Sequence, residues 1–392
     1  MSTSRLFEPI RVGDLTLSHR IALAPLTRLR NSKEHVPTEL MHKYYERTAK
    51  GAEGGLLITE ATAIAGQASG LPHVPGIWSE EQIAAWKEIV KSVHAHGAHI
   101  FMQIWALGRS ANPNALKAKG FDYVAPSPYP YEGNTPRALT VPEIKEYAQL
   151  FATAARNAVE GAGFDGVEVH GANGYLVHQF LVDQSNFRTD EYGGSIENRA
   201  RFGLEVIQAI SDAVGQKKTA IRLSPFSPFY GIEMKNPKPQ YAYFVEQLRD
   251  RFPDLAYIHS VEPRSDPLTD AFLELDETVG TGNDFLREIW SPRPFVIAGG
   301  YTPETAKCDV DKYENDIIAF GRHYLANPDL PRRLREGLPL NKYHRPTFYI
   351  PDLAEGYVDY PFVGEKAVER APFDPSLLGG RGYGMDTTDV SS

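Results

Sequence analysis

Three polar side chains of different chemistry stand close together in the stretch VEVHGANGYLVHQFL, residues 167 to 181. The stretch begins as an apolar run typical of a buried strand and then presents His170, Asn173 and Tyr175. An imidazole and an amide can bind a carbonyl oxygen together and hold it more strongly as it becomes an enolate. A phenol can donate a proton to carbon. The three residues therefore predict a site that stabilises an enolate and protonates it.

The spacing of these residues predicts their directions. If a helical turn follows the strand, Asn173 lies three positions after His170 and becomes its neighbour. At ~100° per residue, Tyr175 would then face well away from both. We expect two groups to converge on one spot and the phenol to approach from another direction. For each residue taken singly, the competing interpretation is a satisfied, semi-buried histidine or a tyrosine packed under the next helix.

Eight short apolar runs rich in Val, Ile and Leu could position these groups. Their near-continuous apolar character is typical of parallel strands covered on both faces. The runs occupy residues 21–26, 54–62, 99–105, 165–171, 219–225, 256–263, 295–300 and 316–322.

Helical patterns follow several of these runs. Ser79 with Gln82 and Thr140 with Glu143 have the spacing of capping boxes, and a third helix begins near Ser195. Strand and helix in alternation, eight times, predict a (β/α)₈ TIM barrel, an α/β fold. A doubly wound sheet is the alternative, but no GxGxxG follows the first run.

Three segments depart from a minimal barrel. The segment RLFEPIRVGDLTLSHR, before the first run, predicts an N-terminal hairpin that plugs the barrel bottom. The Pro- and Gly-rich residues 106–138, after the third run, predict a capping excursion, and a second excursion spans 264–283. We expect residues 1–364 to form one domain and residues 365–392 to be a mobile C-terminal extension.

The last two runs end in residues that suit a phosphate. In a barrel the chemistry lies where strands end, and a phosphate site often follows strands seven and eight. Gly299 with Gly300, and Gly321 with Arg322, would expose backbone N–H groups and one guanidinium there. The competing interpretation is that the glycines only permit tight turns.

Two more polar strand ends favour a heterocycle beside that phosphate. Arg222 ends an apolar run and needs an anionic or electron-rich partner, which could be a ligand or a structural carboxylate, Glu168 or Glu60. Gln103 offers both a donor and an acceptor. A phosphate at one end with an amide and a guanidinium near the middle indicates flavin mononucleotide (FMN).

Composition excludes several other classes of protein. With 392 residues, 42% hydrophobic and 23% charged, the chain can bury a large core. A net charge of -9 with scattered Lys and Arg argues against a nucleic-acid partner. No run is long enough to span a membrane and no signal segment is evident, so we expect a cytoplasmic protein. We also expect a monomer or a homodimer.

The sequence gives no support for a metal or disulfide site. Cys308 is the single cysteine, so no internal disulfide can form. His94, His96 and His99 have metal-like spacing, but they precede the third run and would lie at the barrel bottom. We expect a solvated helix end there and no metal, and we expect His178 to be a helix-face residue.

Long motifs make the chain resemble one known family. VHGANGYLVHQFL followed by NFRTDEYGGSIENRARF closely resembles the old yellow enzyme family of flavin-dependent ene-reductases. The resemblance covers residues from about 5 to 362 and includes APLTR, QIWALGR, IRLSP, FGRHYLANPDL, TFY and EGYVDYP.

The resemblance implies roles for residues at matching positions. Thr27 would bind the flavin near N5, Gln103 the pyrimidine edge, and Arg222 the reduced anionic ring. Pro25 and Ala61 would contact the flavin ring by backbone, and the glycine pairs with Arg322 would hold its phosphate. His170 and Asn173 would bind the substrate oxygen and Tyr175 would donate the proton. The implied residues of the substrate opening are Trp105, Phe226, Phe229 and Tyr349.

The implied activity is reduction of activated alkenes. FMN would be bound, and NADPH, or NADH, would supply hydride for α,β-unsaturated carbonyl compounds or nitroalkenes. Relatives that lack the tyrosine can favour isomerisation, so Tyr175 favours net reduction. The alternatives are a flavin-dependent isomerase of the same fold and a non-catalytic flavin-binding protein. A metal-dependent barrel hydrolase would need more carboxylate and histidine ligands than the strand ends supply.

Overall fold

A closed barrel of parallel strands forms the centre of the computed structural model, which describes residues 4–263 and 282–366. The strands are β1 Ile10–Val12, β2 Leu15–Leu17, β3 Ile21–Leu23, β4 Leu56–Ile58, β5 Thr62–Ala63, β6 His99–Trp105, β7 Val124–Ala125, β8 Arg137–Ala138, β9 Gly166–Gly171, β10 Thr219–Leu223, β11 Tyr257–Val261, β12 Phe295–Ala298 and β13 Asp316–Phe320. Eight of them close the ring in the order β3, β4, β6, β9, β10, β11, β12 and β13, with β13 paired back to β3. The predicted (β/α)₈ barrel is confirmed.

Helices follow the barrel strands and cover their outer faces. They are α1 Glu39–Gly51, α2 Glu80–Ala95, α3 Pro113–Ala118, α4 Val141–Arg156, α5 Leu176–Leu181, α6 Ile196–Val214, α7 Lys238–Arg251, α8 Asp284–Trp290, α9 Pro303–Lys312, α10 Arg322–Ala326 and α11 Leu330–Glu336. Both predicted capping boxes are confirmed, because Ser79 and Thr140 each exchange hydrogen bonds with the residue three positions on. Ser195 caps α6 as predicted.

The N-terminal hairpin closes the bottom of the barrel. Strands β1 and β2 pair antiparallel, and Val12 and Leu17 are fully buried in an apolar cluster with inward-facing residues of the barrel strands. Gly13 turns the hairpin at φ +55°, and a side chain there would collide with the carbonyl of Lys217. Local turn chemistry and close packing therefore fix the same glycine.

The excursion from 106 to 138 has structure of its own at the carboxyl end of β6. It holds a short 3₁₀ turn, Gly108–Ser110, the helix α3 and the two-residue parallel pair of β7 and β8. Of the second predicted excursion, residues 264–281 lie outside the described residues, as do residues 367–392 of the predicted extension. Among the residues that the structure describes, no helix combines the length and apolarity needed to cross a membrane.

Candidate active site

The end of β9 is a tight turn rather than the start of a helix. Asn173 has φ +52° and Gly174 φ +79°, and the Tyr175 N–H donates to the carbonyl of Ala172 at 3.3 Å. Tyr175 is extended and α5 begins only after it. The Asn173 N–H is held by Ser224 Oγ, beyond β10, at 2.8 Å. The helical-turn prediction was wrong because this contact between neighbouring strands overrides local spacing.

The turn places the phenol of Tyr175 beside the imidazole of His170. Their rings lie edge to face with centroids 4.7 Å apart. Trp105, at the end of β6, stacks on His170 at 5.9 Å and meets Tyr175 edge to face at 4.5 Å. The expectation that Tyr175 faces well away from His170 was therefore wrong. Imidazole, indole and phenol form one cluster at the barrel mouth.

The environment of His170 keeps its ring neutral. Its side chain is 4% exposed, and burial together with the positive charge of Arg222 holds the pKa of His170 well below its usual value. Its Nδ1 is buried and has no hydrogen-bond partner among the described residues. A buried polar atom of this kind costs stability unless a ligand or water meets it. Because the imidazole is neutral, it would bind a substrate oxygen by a hydrogen bond and not by a positive charge.

A buried polar network lies beneath this cluster inside the barrel. Glu168 accepts from Gln103 Nε2 at 2.7 Å and pairs with His259 Nδ1 at 2.8 Å, and all three side chains are almost fully buried. Burial raises the pKa of Glu168, but His259, Arg222 and the hydrogen bonds outweigh burial and hold it below its usual value. The carboxylate fixes the Gln103 amide, which keeps one N–H and its carbonyl oxygen for a heterocycle.

Arg222 keeps its charge in the barrel mouth without a carboxylate in contact. It is in register with His170 on β9 and with His259 on β11. Within residues 4–263 and 282–366 it forms no salt bridge, and its Nε has no hydrogen-bond partner although it is buried. The alternative of a contact ion pair with Glu168 or Glu60 is therefore not realised. A guanidinium in this state fits the anionic or electron-rich ring that the sequence predicted.

The predicted phosphate residues lie at the ends of β12 and β13. Gly299 and Gly300 have φ +126° and +66°, and Gly321 precedes α10. A side chain at Gly299 would come within 2.7 Å of the carbonyl oxygen of Glu262, so packing alone requires that glycine. Arg322 is half-buried over the ring of Tyr343. The phosphate role of these residues stays a prediction.

The remaining predicted flavin contacts follow β3 and β4. Pro25 and Ala61 are buried and Thr27 is half-buried, each within a few residues of its strand end. With the unpartnered Arg222 and the tethered Gln103, these residues provide donors, acceptors and backbone at one end of the barrel. The set fits an FMN ring system, in which Arg222 and Gln103 would meet the polar edge.

The predicted substrate-lining residues come from two loops and the C-terminal segment. Phe226 and Phe229 are half-buried after β10, and the Tyr349 side chain is 37% exposed. Two buried arginines hold the segment that carries Tyr349. Arg28 donates to the carbonyls of Phe348 and Gly356 at 3.0 and 2.9 Å, and Arg30 donates to those of Thr347, Phe348 and Leu353 at 2.7 to 3.1 Å.

Sequence reasoning missed these two arginines, and it considered the carboxyl group beside them, that of Glu60, only as a partner for Arg222. Glu60 is buried and accepts from the Arg28 N–H at 3.4 Å, and burial raises its pKa to about 7. The signal was available, since the segment TRLR places two guanidiniums directly after an apolar strand. Charges in that position need acceptors, but nothing local indicates that the acceptors come from residues 347–356.

Two further residues of the site had no sequence prediction. Tyr230 lies in the loop after β10, and its hydroxyl is 3.3 Å from that of Tyr175. Arg109, from the capping excursion, donates to the Tyr230 carbonyl and lies over the rings of Tyr129 and Tyr131 at 4.8 and 5.0 Å. These contacts confirm that the excursion reaches over the mouth, and they join it to the loop after β10.

His178 supports the turn from below. It was predicted to be an ordinary helix-face residue, and it is fully buried on α5. Its Nδ1 accepts from the Gly174 N–H at 3.2 Å, and its Nε2 lies 3.4 Å from the Tyr241 hydroxyl. Burial lowers its pKa to about 4, so the ring is neutral and can accept that hydrogen bond.

The closed barrel carries its buried polar groups at the carboxyl ends of the strands, which is where (β/α)₈ enzymes have their active sites. Residues 5–341 match the NADH:flavin oxidoreductase / NADH oxidase family. The chain belongs to this family of flavin oxidoreductases, that of old yellow enzyme, and the resemblance seen in the sequence is confirmed.

Solved and curated relatives agree on the fold and differ in named activity. The crystal structure of Old Yellow Enzyme from Pichia sp. AKU4542 has a TM-score of 0.85 and 39% identity, over 93% of this chain and 95% of that one. A "Probable inactive reductase easA" of Epichloe festucae var. lolii is 48% identical, over 94% of this chain and 98% of its own length. A "Chanoclavine-I aldehyde reductase fgaOx3" of Penicillium roqueforti is 47% identical, over 94% and 100%.

Proposed function

We propose that this chain is an FMN-dependent ene-reductase that uses NADPH to reduce the C=C bond of α,β-unsaturated carbonyl compounds or nitroalkenes. One observation carries the proposal: the neutral His170 and the phenol of Tyr175 lie in one ring cluster, 4.7 Å apart, at the barrel mouth. A group that binds the activating oxygen and a group that protonates carbon are therefore adjacent.

The cofactor would be held along the strand ends. Thr27, Gln103 and Arg222 would meet the flavin ring, Pro25 and Ala61 would contact it by backbone, and Gly299, Gly300, Gly321 and Arg322 would hold the phosphate. When bound, FMN supplies hydride chemistry between the nicotinamide and the alkene, and the protein supplies position and electrostatics.

The chain's own residues would polarise the substrate and supply its proton. His170 and Asn173 donate hydrogen bonds to the activating oxygen, and these bonds strengthen as negative charge collects there. Tyr175 then protonates the α-carbon, which removes that charge. Trp105, Phe226, Phe229 and Tyr349 would line the opening. Aldehydes conjugated to an alkene are favoured substrates, because a relative at 47% identity is named an aldehyde reductase.

A second candidate is a flavin-binding protein without turnover, since a relative at 48% identity is named a probable inactive reductase. An isomerase of the same fold would consume no net NADPH. Purified full-length protein with FMN should be bleached by NADPH, or more slowly by NADH, and should recover its colour when a cyclic enone is added. One NADPH should be consumed for each product molecule. No bleaching supports the passive binder, and product without NADPH consumption supports the isomerase.

Tyr175→Phe tests the proton donor within the same experiment. Its ring packing is kept, so bleaching by NADPH should be unchanged, whereas recovery with the enone should slow by roughly 10²-fold or more because the general acid is lost. A nitroalkene should be affected less, because its nitronate is stable enough to leave unprotonated. Stopped-flow absorbance measures both halves, and equal enone rates in the two proteins would show that another group is the acid.

A further inference from the structure

Tyr230 brings a second phenol to the proposed proton donor. Its hydroxyl lies 3.3 Å from that of Tyr175, although the two residues are 55 positions apart in the chain. The two rings are tilted by 59° with centroids 5.5 Å apart, so the hydroxyls approach each other without stacking of the rings. The contact joins the turn after β9 to the loop after β10.

Several independent contacts hold Tyr230 in this place. Its φ of +57° is a conformation that non-glycine residues rarely adopt and that persists only where the surroundings enforce it. Arg109 donates to the carbonyl of Tyr230, and the ring of Tyr230 meets that of Tyr131 edge to face with centroids 5.4 Å apart. A side chain at Gly174 would come within 2.9 Å of its ring, so glycine there permits the approach. Together these contacts fix the direction of the phenol.

The position answers a chemical need that Tyr175 cannot meet alone. The ring of Tyr175 packs against those of Trp105 and His170, with centroids 4.5 and 4.7 Å apart, and its oxygen becomes a phenolate once its proton has gone to carbon. A general acid has to regain its proton before the next turnover. Burial raises the pKa of Tyr230, so its hydroxyl is protonated at neutral pH, and it lies 3.3 Å from the oxygen that needs a proton.

We propose that Tyr230 is the second member of a two-phenol proton relay: it orients the Tyr175 hydroxyl and returns the proton that Tyr175 gives up. The proposal rests on the proposed role of Tyr175 as proton donor. The Tyr175 O–H bond breaks as the C–H bond forms at the α-carbon. The Tyr230 O–H bond then breaks as the Tyr175 O–H bond forms again, and water returns a proton to Tyr230, leaving hydroxide to the buffer. No electrons are transferred in these steps.

The first test compares Tyr230→Phe with Tyr131→Phe in the FMN-loaded full chain. Tyr230→Phe should slow turnover of a cyclic enone by about tenfold, less than loss of the acid itself, while reduction by NADPH is unchanged. Tyr131→Phe removes the hydroxyl of a neighbouring tyrosine in the capping excursion but leaves the Tyr230 hydroxyl that meets Tyr175. This variant should therefore keep the wild-type rate. Both variants should bind p-chlorophenol with the wild-type affinity, which an absorbance titration measures.

A double-mutant cycle separates a relay from a packing role. In the Tyr175→Phe background, Tyr230→Phe should have no further effect, because a residue that acts through Tyr175 loses its role when that hydroxyl is absent. The same tenfold loss in both backgrounds would show that Tyr230 acts by packing, and the relay would be overturned. An unchanged enone rate in the single Tyr230→Phe variant would overturn it as well.

The outcomes also separate the relay from the function on which it rests. If Tyr175→Phe keeps the wild-type enone rate, the proton-donor assignment fails. If Tyr175→Phe is slow and Tyr230→Phe is not, only the relay fails.

Discussion

The two ends of the barrel are closed by opposite kinds of chemistry. The bottom is plugged by a hairpin whose Val12 and Leu17 are fully buried in an apolar cluster. At the mouth, buried polar atoms lack hydrogen-bond partners among the described residues, including His170 Nδ1, Arg222 Nε and Trp105 Nε1. Apolar burial stabilises a fold, whereas an unpartnered buried polar atom costs about 1–3 kcal/mol. The bottom therefore stabilises the fold, whereas the mouth holds buried polar atoms that a ligand could meet.

The largest expected effect is at the bottom. Leu17→Ala should lower the free energy of unfolding by about 3 kcal/mol, because a fully buried leucine leaves a cavity. Turnover per folded molecule should be unchanged at a temperature where the variant is still folded. Urea unfolding followed by circular dichroism measures the first quantity and the enone assay the second. Thr16→Ala, the exposed neighbour on β2, is the matched control and should change stability by less than about 0.5 kcal/mol.

A mouth residue should show the reverse pattern. His170→Ala should slow the enone reaction by about 10²-fold, equivalent to about 2.7 kcal/mol, since one donor to the developing charge is lost. Its unfolding free energy should fall less than that of Leu17→Ala, because removal of the unpartnered Nδ1 atom partly offsets the loss of ring packing. Asn173→Ala should behave similarly.

His94→Ala provides the control for that prediction. His94 is partly exposed and pairs with Asp165 at 2.9 Å, at the amino end of the strands. The variant should keep the wild-type enone rate. A His170→Ala protein with normal turnover, or with a loss of stability as large as that of Leu17→Ala, would remove the distinction between the two ends.

The smallest expected effect belongs to His178, a mouth residue whose role is structural. Burial lowers its pKa from 6.5 to about 4, so between these values the unfolded chain binds a proton that the folded protein does not. Its contribution to stability is therefore present above pH 6.5 and is lost as the pH falls toward 4. Between pH 7 and pH 5 the loss from this one group should be about 2 kcal/mol.

Unfolding at both pH values, compared with His178→Gln, isolates this group from the other buried histidines. The variant should be less stable than the wild type at pH 7 and should lose less stability on going to pH 5. His96→Gln, at an exposed position, should keep the wild-type difference between the two pH values. If His178→Gln also keeps it, the imidazole under the turn does not titrate as the structure indicates.

The sequence was sufficient for the parts of the fold that depend on local patterns. The eight strands, the capping boxes at Ser79 and Thr140, the plug and the excursion after β6 were all predicted, because apolar periodicity and cap residues act within a few positions. The turn after β9 was not, because its conformation depends on Ser224 and on the close approach of Tyr230, both more than 50 positions away.

The candidate site divides in the same way. The positions of His170, Arg222 and Gln103 follow from strand periodicity and the rule that barrel sites lie at strand ends. The tether of Gln103 to Glu168 and the pairing of two phenols depend on register between strands and on loop packing, which spacing within one segment does not contain. The flavin contacts themselves stay predictions.

The grip of Arg28 and Arg30 on the carbonyls of residues 347–356 has a consequence for how the protein is made. A chain leaves the ribosome from its N-terminus, so these guanidiniums are synthesised some 320 residues before their acceptors. The first barrel strand, β3, also lacks one of its two neighbours until β13 has been synthesised. During most of its synthesis, a new chain therefore lacks both the strand that closes the barrel and the carbonyl acceptors of these two guanidiniums. Contacts this distant in sequence slow folding, and unpaired strand edges of this kind are prone to aggregation until the last strand is added.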